Sequence, residues 1–165
     1  MSDTARDQAI AQCASVADMV AALECDYVRL EELRDARGEW ADETGKHVSE
    51  WAKHYPDGAA ELAELETEAG ECYSEEEARE LILEDALSVE VRTSWHTPGE
   101  SGEPDEFRIV LCTGGPHVEF VGDLNRYNEP ASVRCLYRDW GDSGELFDFD
   151  HDAALTYCQQ FYFGE

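Results

Sequence analysis

Lysine is almost absent from this chain of 165 residues: only Lys46 and Lys53 occur, against ten arginines. Twelve basic residues face 39 Asp and Glu, leaving a formal charge of -27. DNA, RNA and anionic lipid are bound through clustered Lys and Arg, so direct binding to any of them is not expected. No run of about 18 apolar residues occurs, and no membrane-spanning helix is expected. The first 20 residues, with Asp3, Asp7 and Asp18, lack the basic start and apolar block of a secretory signal. A soluble, cytoplasmic protein is therefore expected.

Motifs of catalysis and metal binding are missing too. Cys13, Cys25, Cys72, Cys112, Cys135 and Cys158 are never closer than twelve residues, so there is no CxxC pair and no zinc-finger spacing. They read as reduced, mostly buried small apolar residues. Cys112 and His117 form the nearest thing to a nucleophile pair, but Gly114-Gly115 intervenes. His47, His54, His96, His117 and His151 make no HExxH pattern. No GxSxG, P-loop or GxGxxG is present. Asp148-Phe149-Asp150-His151-Asp152 starts like an EF-hand, yet Ala153 and Gln159 stand where that loop needs Gly and Glu. No catalytic residue, metal or cofactor is assigned.

Apolar residues make up 42% of the chain and 17 residues are aromatic, enough for a core and too many for a wholly disordered acidic chain. The spacing of Val16, Met19, Val20, Leu23, Tyr27, Leu30 and Leu33 predicts one amphipathic helix running to about Arg37, stopped by Gly38. A short helix is predicted over 46–54, with Val48 and Trp51 inward, and a third over 59–72 along Leu62, Leu65, Ala69 and Cys72. Ser74-Glu75-Glu76-Glu77 is a capping box, opening a helix to about Asp85 with Ala78, Leu81 and Ile82 inward.

After Leu87 the period becomes two. Strands are predicted over 89–95, 106–113, 117–121 and 132–139, with turns at Gly114-Gly115 and 125–130. Asp150 or Asp152 caps a last helix carrying Leu155, Cys158, Phe161 and Tyr162. The fold expected is α+β: an N-terminal helical hairpin or bundle over 1–86, then over 87–165 a four-stranded antiparallel meander covered by the C-terminal helix.

Two features carry a functional reading. Glu61, Glu64, Glu68, Glu71 and Glu75 step by three and four residues, which sets them on one face of the third predicted helix, roughly 5 Å apart along its axis. Glu66, Glu76, Glu77, Glu80, Glu84 and Asp85 extend the acidic run. Like charges at this spacing each cost a few tenths of a kcal/mol, and a chain needing only solubility could mix signs at less cost. Duplex DNA presents about one negative charge per 1.7 Å of axis, so such a row can imitate phosphates for a basic groove. Acidic adaptation to salt, or a solvated helix face, is the competing account. The second feature is Trp140 beside Gly141-Asp142-Ser143-Gly144, an aromatic anchor for a protein partner or part of the core.

The stretches Leu87–Arg92, Glu106–Pro116 and Gln160–Glu165 resemble a family of small acidic proteins carried on bacterial phages and other mobile elements. The resemblance covers roughly 60–165 and brings no catalytic residues. It implies the setting of anti-restriction and anti-CRISPR inhibitors. The expected function is thus a non-enzymatic inhibitor binding a basic nucleic-acid-handling protein of a bacterial host. Glu61, Glu64, Glu68, Glu71, Glu75, Glu76, Glu80, Glu84, Asp85 and Trp140 are its expected contact residues. The alternative is a module that docks through its aromatic C-terminal surface without imitating DNA. The oligomeric state is open.

Overall fold

A computed structural model describes residues 4–164. Six α-helices and five strands follow in the order α1 (Thr4–Glu24), α2 (Tyr27–Thr44), a 3-10 turn (Val48–Glu50) leading into α3 (Trp51–His54), α4 (Pro56–Ala69), α5 (Glu75–Asp85), β1 (Ser88–Thr93), β2 (Pro104–Cys112), β3 (His117–Asp123), β4 (Arg134–Asp139), β5 (Asp142–Leu146) and α6 (His151–Cys158). The α+β class is as expected, with five strands rather than four. The described residues fall into two compact units, Ala21–Ala78 and the residues up to Val20 together with those from Arg79 onward. The division thus runs differently from one at residue 86: the first part of α1 belongs with the sheet.

The single long helix predicted to Arg37 is two helices. Asp26 interrupts it, its carboxylate accepting from the Arg29 amide at 2.9 Å as the N-cap of α2. The apolar stripe continues across the break because Leu30 and Leu33 are buried on the far side of it as well. Gly38 does not stop α2. Trp40, beyond it, packs on a core of Cys25, Leu30, Leu33, Trp51, Leu62 and Ala69, which outweighs the roughly 1 kcal/mol that a helical glycine costs. The helix ends at Gly45, left-handed at φ 66°, whose amide donates to the Ala41 carbonyl at 2.9 Å.

In the same unit α4 starts on Pro56, whose missing amide is harmless in a first turn. It ends at Gly70. Tyr27 lies against this core and its hydroxyl donates to the Ala22 carbonyl at 2.8 Å. Burial pushes its phenol up to about 12, whereas an unfolded tyrosine ionises near 10. A raised folded value means the contribution is full below pH 10 and lost as pH rises to 12. Urea midpoints measured across that window should fall, and Tyr27→Phe should flatten the fall.

The sheet is an antiparallel meander in the order β1-β2-β3-β4-β5. Phe107, Ile109, Phe120, Val118, Cys135 and Leu146 share one face by register and are buried. Helix α1 reaches this face through Cys13, whose sulfur is 3.6 Å from that of Cys135. Helix α6 reaches it through Tyr157, edge-on to Phe120 with ring centres 6.0 Å apart. The Tyr157 hydroxyl donates to Asp85 at 2.7 Å, and beyond α6 Phe163 lies on Phe107. Phe161 and Tyr162 follow the helix instead of belonging to it, since α6 ends at Cys158.

Strand β5 is the element that sequence periodicity does not reveal. An aspartate, a serine and a glycine give Asp142–Leu146 little strand character, but β4 supplies its pairing through the two-residue turn Trp140-Gly141, with Gly141 at φ 84°. Gly144 leaves room for Tyr137: a Cβ there would come within 2.5 Å of the Tyr137 hydroxyl, and the ring would have to shift. Strand β1 ends at Thr93, two residues earlier than alternation suggests; among the described residues it pairs with β2 alone, and it leaves Val89, Val91 and Trp95 exposed.

Candidate functional site

The open face of the sheet concentrates four of the ten arginines: Arg92, Arg108, Arg134 and Arg138. A depression of about 490 Å³ lies here, lined among others by Arg92, Arg108, Arg134, Glu90, Glu106 and Glu119. Register explains the pairing of these charges. Arg92 sits opposite Glu106 and Arg108 opposite Glu90, and both pairs close as ion pairs. Arg134 lies 3.8 Å from Glu145.

Glu119 is the one buried charged residue among those described. His117 Nε2 is 2.9 Å from its carboxylate, Arg138 Nη2 3.5 Å and Arg108 Nη1 3.9 Å. Arg138 donates to Glu119 and also stands 3.0 Å from His117 Nε2, so the three side chains form one polar cluster around the carboxylate. A buried carboxylate without such partners would cost several kcal/mol. This lattice spends its charges on itself: each arginine already faces an acid, so the face is a satisfied ion-pair network and not an anion-binding patch.

The helical carboxylates differ. Glu61 is committed to α2: Arg29 grips it with two hydrogen bonds, Nε to Oε1 at 2.7 Å and Nη2 to Oε2 at 2.9 Å. The guanidinium holds the Glu61 carboxyl below its ordinary range. Glu66 receives Arg34 at 3.3 Å and lies 3.9 Å from Arg37. Glu61, Glu64 and Glu68 do share α4, with Glu64 exposed and Glu68 half-buried. The row of five on one helix is not formed. Gly70, at φ 57° and ψ −119°, ends α4, so Glu71 lies in the connecting turn and Glu75 opens a new helix.

That new helix carries its own row. Ser74 Oγ accepts from the Glu77 amide at 3.2 Å, and the Glu77 carboxylate accepts from the Tyr73 amide at 2.9 Å, one residue earlier than the reciprocal bond of a capping box. Glu76, Glu80 and Glu84 then follow at four-residue steps, all exposed, about 6 Å apart along α5. Glu75 is exposed in the first turn. Asp85 is not a free contact, since it accepts from Tyr157. Of the inward positions expected on α5, Ala78 and Ile82 are fully buried while Leu81 is 47% exposed.

Trp140 sits at the tip of the β4–β5 hairpin and is 98% exposed. It belongs to no core.

All six cysteines are free thiols, four of them buried. Cys112 makes no pair with His117: its thiol donates to the Pro116 carbonyl at 3.5 Å and burial pushes it up. Among the described residues no group of three or more side chains is arranged to hold a metal ion, and no helix is long and apolar enough to cross a membrane. Asp150 serves as the N-cap of α6, accepting from the Ala153 amide at 2.9 Å. No protein-family model, curated protein or solved structure matches the chain.

Proposed function

We propose that this chain is a non-enzymatic acidic inhibitor that occupies the DNA-binding groove of a basic nucleic-acid-handling protein, such as a CRISPR effector or a restriction complex. The observation that carries the reading is how its charges are distributed between paired and unpaired sites. The arginines of the sheet are matched one to one with acids. By contrast, Ala21–Ala78 holds 18 acids and 5 bases, and three of those bases, Arg29, Arg34 and Arg37, are turned toward Glu61 or Glu66. Glu64, Glu71 and Glu76 of this unit, and Glu80 and Glu84 beyond it along α5, are exposed and form no ion pair among the described residues. Carboxylates at 6 Å steps along α5 offer a basic groove a spaced series of negative charges, as a nucleic-acid backbone does. Long-range attraction would speed encounter, and short-range pairing would be shared over many weak contacts.

The test is capture of partners from nuclease-treated bacterial lysate, with elution by a salt gradient and competition by duplex DNA. The expected partner is a basic nucleic-acid-binding protein released between about 0.2 and 0.5 M salt, where the Debye length shrinks to a few Å, and displaced by DNA.

Trp140 supports a second reading, docking of a protein partner on an aromatic anchor at the hairpin tip. In that case binding persists through 0.5 M salt, ignores DNA and is lost in Trp140→Ala, at a cost of about 2 kcal/mol or more for a hot-spot tryptophan. That outcome would retire the mimic.

A further inference from the structure

The segment from Leu87 to Trp95 reads Leu-Ser-Val-Glu-Val-Arg-Thr-Ser-Trp. About its centre, Val91, it is complementary to its own reverse: Leu matches Trp, Ser matches Ser, Val matches Thr, and Glu matches Arg. Ser88–Thr93 within it is β1, an edge strand whose outer side pairs with no other strand among the described residues. Four of the five odd-numbered positions are exposed apolar side chains, with Leu87 at 59%, Val89 at 38%, Val91 at 47% and Trp95 fully open. Edge strands are normally blunted by proline, a bulge or an inward charge, because a long exposed edge templates another strand. Over Ser88–Thr93 the pairing side has none of these, since the one irregularity, at Arg92 and Thr93, comes from the extra residue Asp105 on the β2 side.

We infer that β1 is the pairing edge of a two-fold dimer, and that its occupant is β1 of a second copy, antiparallel and centred on Val91. Register selects this centre. Residues opposite each other in an antiparallel pair must lie on the same face, so a two-fold axis passes through a residue and not between two. An axis at Glu90 sets Glu90 against Glu90, and one at Arg92 sets Arg92 against Arg92. Like charges directly opposite are unfavourable. An axis at Val91 sets each Glu90 against Arg92 of the other copy, Val91 against Val91, and Val89 against Thr93.

The ion pairs within each chain are then extended rather than disturbed. Arg108 and Glu90 of one copy continue into Arg92 and Glu106 of the second, giving alternating signs across four strands. A two-fold contact of this kind closes on itself, so it gives a dimer and not a fibre. The edge also carries little net charge of its own, one acid and one base over Ser88–Thr93, so the chain's excess of acid lies elsewhere.

The full-length protein is to be studied by sedimentation over a range of concentrations at about 0.5 M salt, where repulsion between two chains of -27 is screened. The mass should rise from 18.6 kDa toward twice that value. Arg92→Glu alone and Glu90→Arg alone each place like charges opposite one another twice, and each should weaken association about tenfold or more. Mixed in equal amounts, the two variants are again complementary, and the dimer should return as a heterodimer.

Circular dichroism checks that both variants are folded. Should either fail to fold, a cysteine at position 91, in a Cys72→Ser, Cys112→Ser background, gives a second route. Val91→Cys should oxidise to a covalent dimer, because opposite Cα atoms stand about 5 Å apart, and Val89→Cys should not. A wild-type chain that stays at 18.6 kDa at every concentration overturns the inference, as does a mixture that fails to recover the dimer. A monomer that instead takes up an unrelated extended peptide along this edge would assign the edge to another partner.

Discussion

A chain with Glu64, Glu71, Glu76, Glu80 and Glu84 changed together to glutamine is expected to capture its basic partner about tenfold to a hundredfold more slowly, while becoming slightly more stable. The two readouts move in opposite directions for one reason. Glu76, Glu80 and Glu84 are spaced at i, i+4 and i+8 on α5, and each like-charged pair costs the helix a few tenths of a kcal/mol. Removing the charges relieves that repulsion. It also removes the field that draws a basic surface in, an effect commonly worth one to three orders of magnitude in association rate at low salt.

Changing any one of the five should do little, since each contributes modestly. Glu61→Gln is the informative control. Its carboxylate is held by Arg29 through two hydrogen bonds, so the change should lower the unfolding midpoint and leave the association rate nearly unaltered. If the fivefold variant gained stability and kept its association rate, the carboxylate row would serve solubility and phosphate mimicry would be refuted.

Gly122→Ala is expected to cost about 3 kcal/mol, which is large for the addition of one methyl group. Gly122 lies on the covered face of β3, opposite Phe107. A Cβ there would come 1.9 Å from the Ser132 carbonyl oxygen and 2.8 Å from Phe107 Cε1. The first of these is backbone, and the adjoining Ala131 amide is already bonded to the Asp123 carbonyl at 2.8 Å, so the chain cannot swing aside without breaking that bond. Urea unfolding should show a lower midpoint at unchanged slope. Gly38→Ala provides the opposite sign. Gly38 lies inside α2 with nothing within 4 Å of the added methyl, so that change should stabilise by about 0.4–1 kcal/mol. Equal effects at the two positions would mean that the close approach at Gly122 does not govern its cost.

Local patterns in the chain were enough to place most elements. Period-two alternation located β1 to β4, and the Ser74 cap and the Asp150 cap located the starts of α5 and α6. These signals involve residues a few positions apart, where propensity and hydrogen bonding act within one element. Errors arose where a distant partner decides. Gly38 lies within a helix because Trp40, two residues later, has a core to enter. Asp26 breaks a stripe that is apolar on both sides, and β5 becomes a strand only because β4 is beside it.

The same distinction governs the candidate site. Net charge, the scarcity of lysine and the density of glutamate over 61–84 are properties of composition, and the sequence by itself determined them. Which carboxylates remain available was a matter for tertiary structure. Glu61 and Glu66 are taken by arginines 32 residues or so away in the chain, and Asp85 by a tyrosine 72 residues away. Gly70 divides one row into two, while the arginines of the sheet are neutralised across strands in a register that no local pattern encodes. A charge is counted along the chain, but its partner is chosen in space, because Coulomb attraction and hydrogen bonding depend on distance and not on separation in sequence.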